Sequence, residues 1–225
     1  MKIFVAGSGK LANAILTSGL SIQGCDVTRW ETAYQTLKEK SIIVHAGSGR
    51  QLAECQEFCS KTKSVFIELS TGSETEKMNY DFPLIICSNA SILLLKTLNM
   101  IKTNGRFFEN YEISVTESHQ STKKSQPGTA FALANSLKVS TDKIVSIRDP
   151  EMQQNQIRIP KAYLDQHAYH KIIIKDGEDE ITIETKVLGY KSYVKGVKRI
   201  IEAVLKNNLE NKKYQVWDLI DKEMV

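Results

Sequence analysis

The chain has 225 residues, 41% hydrophobic and 25% charged, an ordinary make-up for a folded protein with a real core. Its 30 basic and 26 acidic residues leave a net charge of +4, and the basic side chains are scattered apart from local clusters near 123 and 212, too weak a pattern for a nucleic-acid partner. No apolar run approaches the roughly 20 residues that span a bilayer, and Met1–Gly7 turns into a glycine loop too early for a signal peptide, so a cytoplasmic protein without a membrane partner is expected.

Residues 2–6 form an apolar run ending in Gly7-Ser8-Gly9-Lys10-Leu11-Ala12, after which Leu11, Ile15 and Leu16 recur at helical spacing. Strand, tight turn and helix in that order fit G-x-G-x-x-A. There the first glycine permits the turn, the second lets a pyrophosphate approach the backbone, and the small third residue lets helix and strand pack. A P-loop is excluded because the G-x-x-x-x-G-K-[ST] spacing is missing.

The alternation continues with a strand over 25–30, a helix over 32–39, a strand over 41–45, a helix over 50–60 and a strand over 64–69. This order implies a Rossmann-type, doubly wound parallel sheet in a dinucleotide-binding domain over 1–89. At the end of the second strand, Glu31 suits the ribose hydroxyls of NAD and Arg29 the extra phosphate of NADP, so NADH and NADPH both stay open. Small polar turns follow later strands: Gly47-Ser48-Gly49, Ser70-Thr71-Gly72 and Ser88-Asn89-Ala90-Ser91. Cys25, Cys55, Cys59 and Cys87 have no CxxC spacing and read as reduced structural thiols; no metal site is expected.

Past Asn89 the pattern changes. A helix is expected over 91–103, strands over 111–117, 144–147 and 156–159, a hairpin of 170–175 with 181–187, and a helix over 190–206. This predicts a second α+β domain over 90–206, built on an open, largely antiparallel sheet. Such a sheet needs covering, so a homodimer or homotetramer is expected. The amphipathic tail, within 207–225, is a candidate to return to the first domain.

Residues 117–130 are expected as a loop between the strand and a helix over 130–137. The loop presents His119, a residue that changes protonation near neutrality, and Lys123, a cation. At its end Gly128 and Thr129 open a helix whose unpaired N–H groups suit a carboxylate or phosphate.

A nucleotide fold followed by E-x-H-x-x-x-K-x-x-x-P-G-T-A resembles the dihydrodipicolinate reductase family, whose signature runs E-A-H-H-x-x-K-x-D-x-P-S-G-T-A. Glu117, His119, Lys123, Pro127, Gly128, Thr129 and Ala130 match it. Leu69-Ser70-Thr71-Gly72 is similar to the family's G-T-T-G cofactor turn, Ser88-Asn89-Ala90-Ser91 to its A-N-F-S segment, and Glu180-Ile181-Thr182 with Tyr193 and Gly196 to its closing strand and helix. The resemblance implies an NAD(P)H-dependent oxidoreductase of lysine and diaminopimelate synthesis, which reduces the cyclic dicarboxylate imine 4-hydroxy-tetrahydrodipicolinate. By the same resemblance His119 is the proton donor and Lys123 a second donor that polarises the substrate. Gly128 and Thr129 are the carboxylate cradle, and Gln120 is a hydrogen-bonding neighbour.

Several positions depart from the signature. Gln120 replaces a histidine, Ser125 an aspartate, and one residue is missing between Pro127 and Gly128. His45-Ala46-Gly47 stands where the family has D-F-[ST], and Ile157-Arg158-Ile159-Pro160 where it has I-R-G-G. These departures keep two other readings open: a reductase of this fold for another amino or imino acid, and a non-catalytic dinucleotide-binding regulator.

Overall fold

The apolar strands of the N-terminal half pair into one parallel sheet. In the computed structural model, which describes residues 1–123 and 126–225, β1 (Lys2–Ala6) leads through the glycine loop into α1 (Lys10–Thr17), and β2 (Asp26–Arg29), β3 (Ile42–His45), α2 (Leu52–Thr62), β4 (Val65–Glu68) and β5 (Leu84–Ile86) follow. Every residue of β3, β4 and β5 is buried, as expected of inner parallel strands covered on both faces.

The remaining elements are α3 (Ile92–Asn104), β6 (Glu112–His119), α4 (Gly128–Ser136), β7 (Val145–Ile147), α5 (Pro150–Asn155), β8 (His167–Asp176), β9 (Asp179–Leu188), α6 (Lys191–Lys206), β10 (Lys213–Gln215) and α7 (Val216–Asp221). They complete two compact units, residues 1–92 with 190–225, and residues 93–189.

In unit 1 the strand order is β10-β5-β4-β3-β1-β2. Phe4, Trp30, Phe58, Phe66 and Phe82 form an aromatic core there, with Phe4 edge-on to Trp30 at 5.5 Å and stacked on Tyr34 at 4.7 Å. That packing explains one departure from the sequence reading. The helix expected over 32–39 is a single 3₁₀ turn, Thr32–Thr36, because Tyr34 and Leu37 turn in against the aromatic cluster.

The tail joins this unit: β10 pairs in parallel with β5, Tyr214 opposite Ile85. Helix α6, expected in the second domain, belongs to unit 1 as well. Its Val194, Val197, Ile200, Ile201 and Val204 are buried, and Gly196 lies so close to Ala90 that an added Cβ would sit 1.6 Å from the Ala90 carbonyl oxygen. Backbone cannot give way as a side-chain tip can, so Gly196→Ala is expected to destabilise unit 1 by ~3 kcal/mol. Denaturant unfolding of the variant against wild type measures it.

Unit 2 holds a four-stranded sheet in the order β7-β6-β8-β9. The β6–β8 and β8–β9 pairs are antiparallel and β6–β7 is parallel. The strand expected over 156–159 is absent: Ile157 and Ile159 are buried beside Tyr169 in an irregular segment, where Ile159 N–H bonds the Gln153 carbonyl at 2.8 Å and Arg158 takes φ +56°. Alternating burial there reflects packing into a local cluster rather than a ladder. Among the described residues no helix is long and apolar enough to cross a membrane, and no group of three or more His, Cys, Asp or Glu could hold a metal ion.

Candidate active site

Strand β6 extends through His119, so the first three residues expected in the loop are strand residues. Pairing explains the extension, since Glu117 lies opposite Ser146 of β7 and His170 of β8, and His119 opposite Ala168. Residues two apart on a strand share a face, and Glu117 and His119 therefore meet: Glu117 Oε2 lies 2.7 Å from His119 Nδ1. Glu117 Oε1 accepts from Arg148 Nη2 at 2.6 Å, and the Ser146 hydroxyl donates as well.

Glu117 is fully buried. Burial alone would raise its pKa, but the bonds from His119, Arg148 and Ser146, with the charge of Arg148, hold it down at about 2. The carboxylate pins the Nδ1 proton of His119, leaving Nε2 as the nitrogen able to exchange a proton with a ligand. His119 is 15% exposed.

Two further histidines surround it. His170 stands edge-on to His119, with ring centroids 5.8 Å apart. Burial and the neighbouring His119 charge lower its pKa to about 4, so it is neutral at physiological pH. On the opposite face of β6, Ser118 Oγ lies 2.9 Å from His167 Nε2, while His167 Nδ1 faces the carbonyls of Tyr163 and Leu164, each at 3.0 Å. The Nδ1 proton donates to those carbonyls and Nε2 accepts from Ser118. Buried Gln153 donates to Ser118 Oγ at 3.1 Å and to the His119 carbonyl at 2.7 Å, which clamps the end of the strand.

Past His119 the chain turns, Lys123 N–H donating to the Gln120 carbonyl at 3.0 Å. Gln120 and Lys123 are both half-buried. Lys124 and Ser125 lie outside the described residues, the latter being the position of the missing signature aspartate. Helix α4 starts at Gly128 with no side chain capping it, and Gly128 N–H is bonded to the Gln126 carbonyl at 3.0 Å. The amides left for an anion are those of Thr129 and Ala130, and the space beside Gly128 Cα is open.

In unit 1 the glycine loop has the features a dinucleotide phosphate needs. Gly7 has φ +117°, and a Cβ there would lie 2.5 Å from the Ala46 carbonyl oxygen, so only glycine fits. Ser8 is exposed, Gly9 has open space beside it, no side chain caps α1, Lys10 is exposed at its start and Ala12 is buried against the sheet. These residues fit a pyrophosphate.

Arg29 lies across the loop, donating to the Gly7 carbonyl at 2.5 Å and to Asn13 Oδ1 at 2.8 Å, whereas Glu31 is exposed just before the 3₁₀ turn. Leu11, Leu69, Ser88 and Ala90 come together with Tyr190 and Tyr193 around a cavity of about 170 Å³. Thr71 is exposed, Ser70 Oγ accepts from Ser48 N–H at 3.1 Å, and Asn89 Oδ1 accepts from Ser91 N–H at 2.9 Å.

Residues 93–221, more than half of the chain, match the family described as dihydrodipicolinate reductase, C-terminus. The chain belongs to this family. A relative from Oryza sativa subsp. japonica, named probable 4-hydroxy-tetrahydrodipicolinate reductase 2, chloroplastic, is 31% identical over 51% of the chain and 37% of its own length. An Arabidopsis thaliana relative, 4-hydroxy-tetrahydrodipicolinate reductase 1, chloroplastic, is 30% identical over 44% of the chain and 29% of its own length. The chain thus spans about a third of these relatives.

A solved dihydrodipicolinate reductase from Paenisporosarcina sp. TG-14, described as dipicolinate bound, shares the fold with a TM-score of 0.68 at 14% identity, over 96% of this chain and 97% of that one. A probable dehydrogenase from Thermotoga maritima superposes with a TM-score of 0.53 at 9% identity, over 92% of this chain and 89% of that one.

Within this member of the dihydrodipicolinate reductase family, Arg148, Ser146, Gln153 and His170 had no motif to single them out. For Ser146 and His170 the signal was the register, since once β6 is flanked by β7 and β8 the residues opposite Glu117 follow from the pairing; Arg148, just past β7, and Gln153, in α5, reach the site from outside the ladder.

Proposed function

We propose that the chain catalyses NAD(P)H-dependent reduction of 4-hydroxy-tetrahydrodipicolinate to tetrahydrodipicolinate, in lysine and diaminopimelate synthesis. The observation that carries this reading is His119 held through Nδ1 by a buried carboxylate that Arg148 neutralises, inside the segment matching the family. The bound nicotinamide would supply a hydride.

The substrate's 4-hydroxyl group must leave as water, so turnover consumes one proton together with the hydride, and the protein must supply that proton and neutralise two carboxylates. His119 Nε2 delivers the proton, and Glu117 stabilises the imidazolium before transfer. Lys123 offsets substrate charge and polarises the ring. The Thr129 and Ala130 amides at the start of α4 receive a carboxylate, with Gly128 leaving room for it and Gln120 hydrogen-bonding at its edge. In unit 1 the phosphates rest on Gly7–Ala12, with Leu69, Ser70, Thr71, Ser88, Asn89 and Ala90 on the later strand ends. The dipicolinate bound to the Paenisporosarcina relative is a ring dicarboxylate of the class this site would take.

The assay is oxidation of NADH and NADPH by freshly generated 4-hydroxy-tetrahydrodipicolinate. Turnover with either supports the proposal, and none, with the dinucleotide demonstrably bound, overturns it. Gln120 and the shortened Pro127-Gly128 junction favour a second reading, reduction of another imino acid by the same machinery. Turnover of such a compound alone would establish it.

Arg29 bears on cofactor choice. Its guanidinium already binds the Gly7 carbonyl and Asn13, so its role is to hold the glycine loop. Arg29→Ala should therefore weaken NADH and NADPH by the same factor, about tenfold or less. A loss confined to NADPH in paired titrations would instead make it a phosphate ligand. The same reading expects a homodimer or homotetramer, measurable by light scattering.

A further inference from the structure

We infer that the buried His45–Glu68 pair is a positioning element that fixes the turns after β3 and β4 for dinucleotide binding. The inference rests on the reading of unit 1 as the cofactor unit. His45 and Glu68 end adjacent parallel strands in direct register, and both side chains are fully buried.

His45 Nδ1 lies 2.8 Å and 3.0 Å from the two carboxylate oxygens of Glu68, and His45 Nε2 lies 2.9 Å from the Arg50 carbonyl. Acceptors face both ring nitrogens, so both nitrogens carry protons and the pair is ionic. Glu68 also accepts from Ser70 N–H at 2.8 Å, Ser73 Oγ at 2.9 Å and Thr75 Oγ1 at 2.9 Å.

Each end of the pair therefore grips one turn. The imidazole holds Arg50, at the foot of Gly47-Ser48-Gly49, and the carboxylate holds Ser70 to Thr75. The turns are then tied across, Ser48 N–H to Ser70 Oγ, and to the glycine loop, Gly7 N–H to Gln51 Oε1 at 3.3 Å. Gly47 has no room for a Cβ, which would lie 2.8 Å from His45 Nε2 and 2.7 Å from the Arg50 oxygen.

A buried ion pair is a weak device for stability, since an apolar pair of similar volume often does as well or better. What an apolar pair cannot supply is four directed bonds to two turns. Burial would lower the pKa of His45, but the hydrogen bond and charge of Glu68 outweigh it and raise it. The same partners lower that of Glu68 against its burial. The other groups facing the pair are Arg50, Cys55 and Tyr80. The thiol of Cys55 and the hydroxyl of Tyr80 are both raised, so neither titrates near neutrality.

The test compares wild type with His45→Phe/Glu68→Leu in NADH and NADPH titrations, denaturant unfolding and amide exchange. The double variant should stay folded, lose protection at Ser48 and Ser70, and bind dinucleotide about tenfold more weakly. Unchanged affinity would overturn the positioning role. Should the double variant fail to fold, wild type decides: affinity should fall as pH rises through the raised pKa of His45, together with Ser70 protection, and a flat profile overturns the inference. Wild type that binds neither dinucleotide would remove the cofactor reading itself, and this one with it.

Discussion

His119→Ala is expected to lower kcat by about 10²–10⁴-fold while leaving the dinucleotide Kd at its wild-type value. The split follows from where the residue sits. His119 belongs to the strand face of unit 2 that carries Glu117, Ser146 and His170, whereas the glycine loop belongs to unit 1. Removing the imidazole takes away the proposed proton donor and leaves the residues proposed to cradle the cofactor unchanged. His119→Gln should be almost as inactive, since an amide can hydrogen-bond Glu117 but cannot donate a proton as an acid. Steady-state kinetics at saturating cofactor, beside a fluorescence titration, separate the two quantities. Equal activity in the variants would remove His119 from the mechanism.

Glu117→Gln should have the next largest effect, on stability as well as turnover. The ionised carboxylate accepts from His119, Arg148 and Ser146 at once; the amide turns an NH₂ group toward one of them and leaves Arg148 without its counter-charge. Breaking a buried pair in this way costs ~3–5 kcal/mol, and kcat should fall ~10²-fold because nothing then fixes the His119 tautomer.

The same carboxylate sets an acid limit. Its pKa is lowered in the folded state, to about 2 from an ordinary 4.5. The stability it contributes is complete above 4.5 and drains away as pH falls through that value towards 2, by ~3 kcal/mol. Unfolding measured at successive acidic pH values should show that slope in wild type and lose that component in Glu117→Gln.

The parallel sheet was legible from the N-terminal half because inner strands such as Ile42–His45 and Val65–Glu68 are continuous apolar runs between turns. Glycine spacing marked the tight loop between β1 and α1, and the 117–130 signature singled out His119. Residues drawn together by pairing were hidden. Arg148 meets Glu117 only because β7 runs parallel to β6, and His45 meets Glu68 only through register between strands 23 residues apart. The 32–39 helix failed because tertiary packing of Tyr34 and Leu37 overrode local pattern, and α6, expected with the second domain, groups with unit 1, where its apolar face is buried. The amide of Gly128, expected to face the ligand, turns to Gln126 instead, a local bond no spacing rule reports.

Hydride transfer from a nicotinamide to the substrate ring, with loss of the 4-hydroxyl group as water, is the central claim, and deuterium labelling tests it most directly. Wild-type protein is incubated with freshly generated 4-hydroxy-tetrahydrodipicolinate and NADH or NADPH deuterated at the transferring position, and the product is weighed by mass spectrometry. The account predicts tetrahydrodipicolinate carrying a single deuterium, formed in step with cofactor oxidation and suppressed in His119→Ala. Absence of that labelled product, with the cofactor bound and the protein folded, would contradict it.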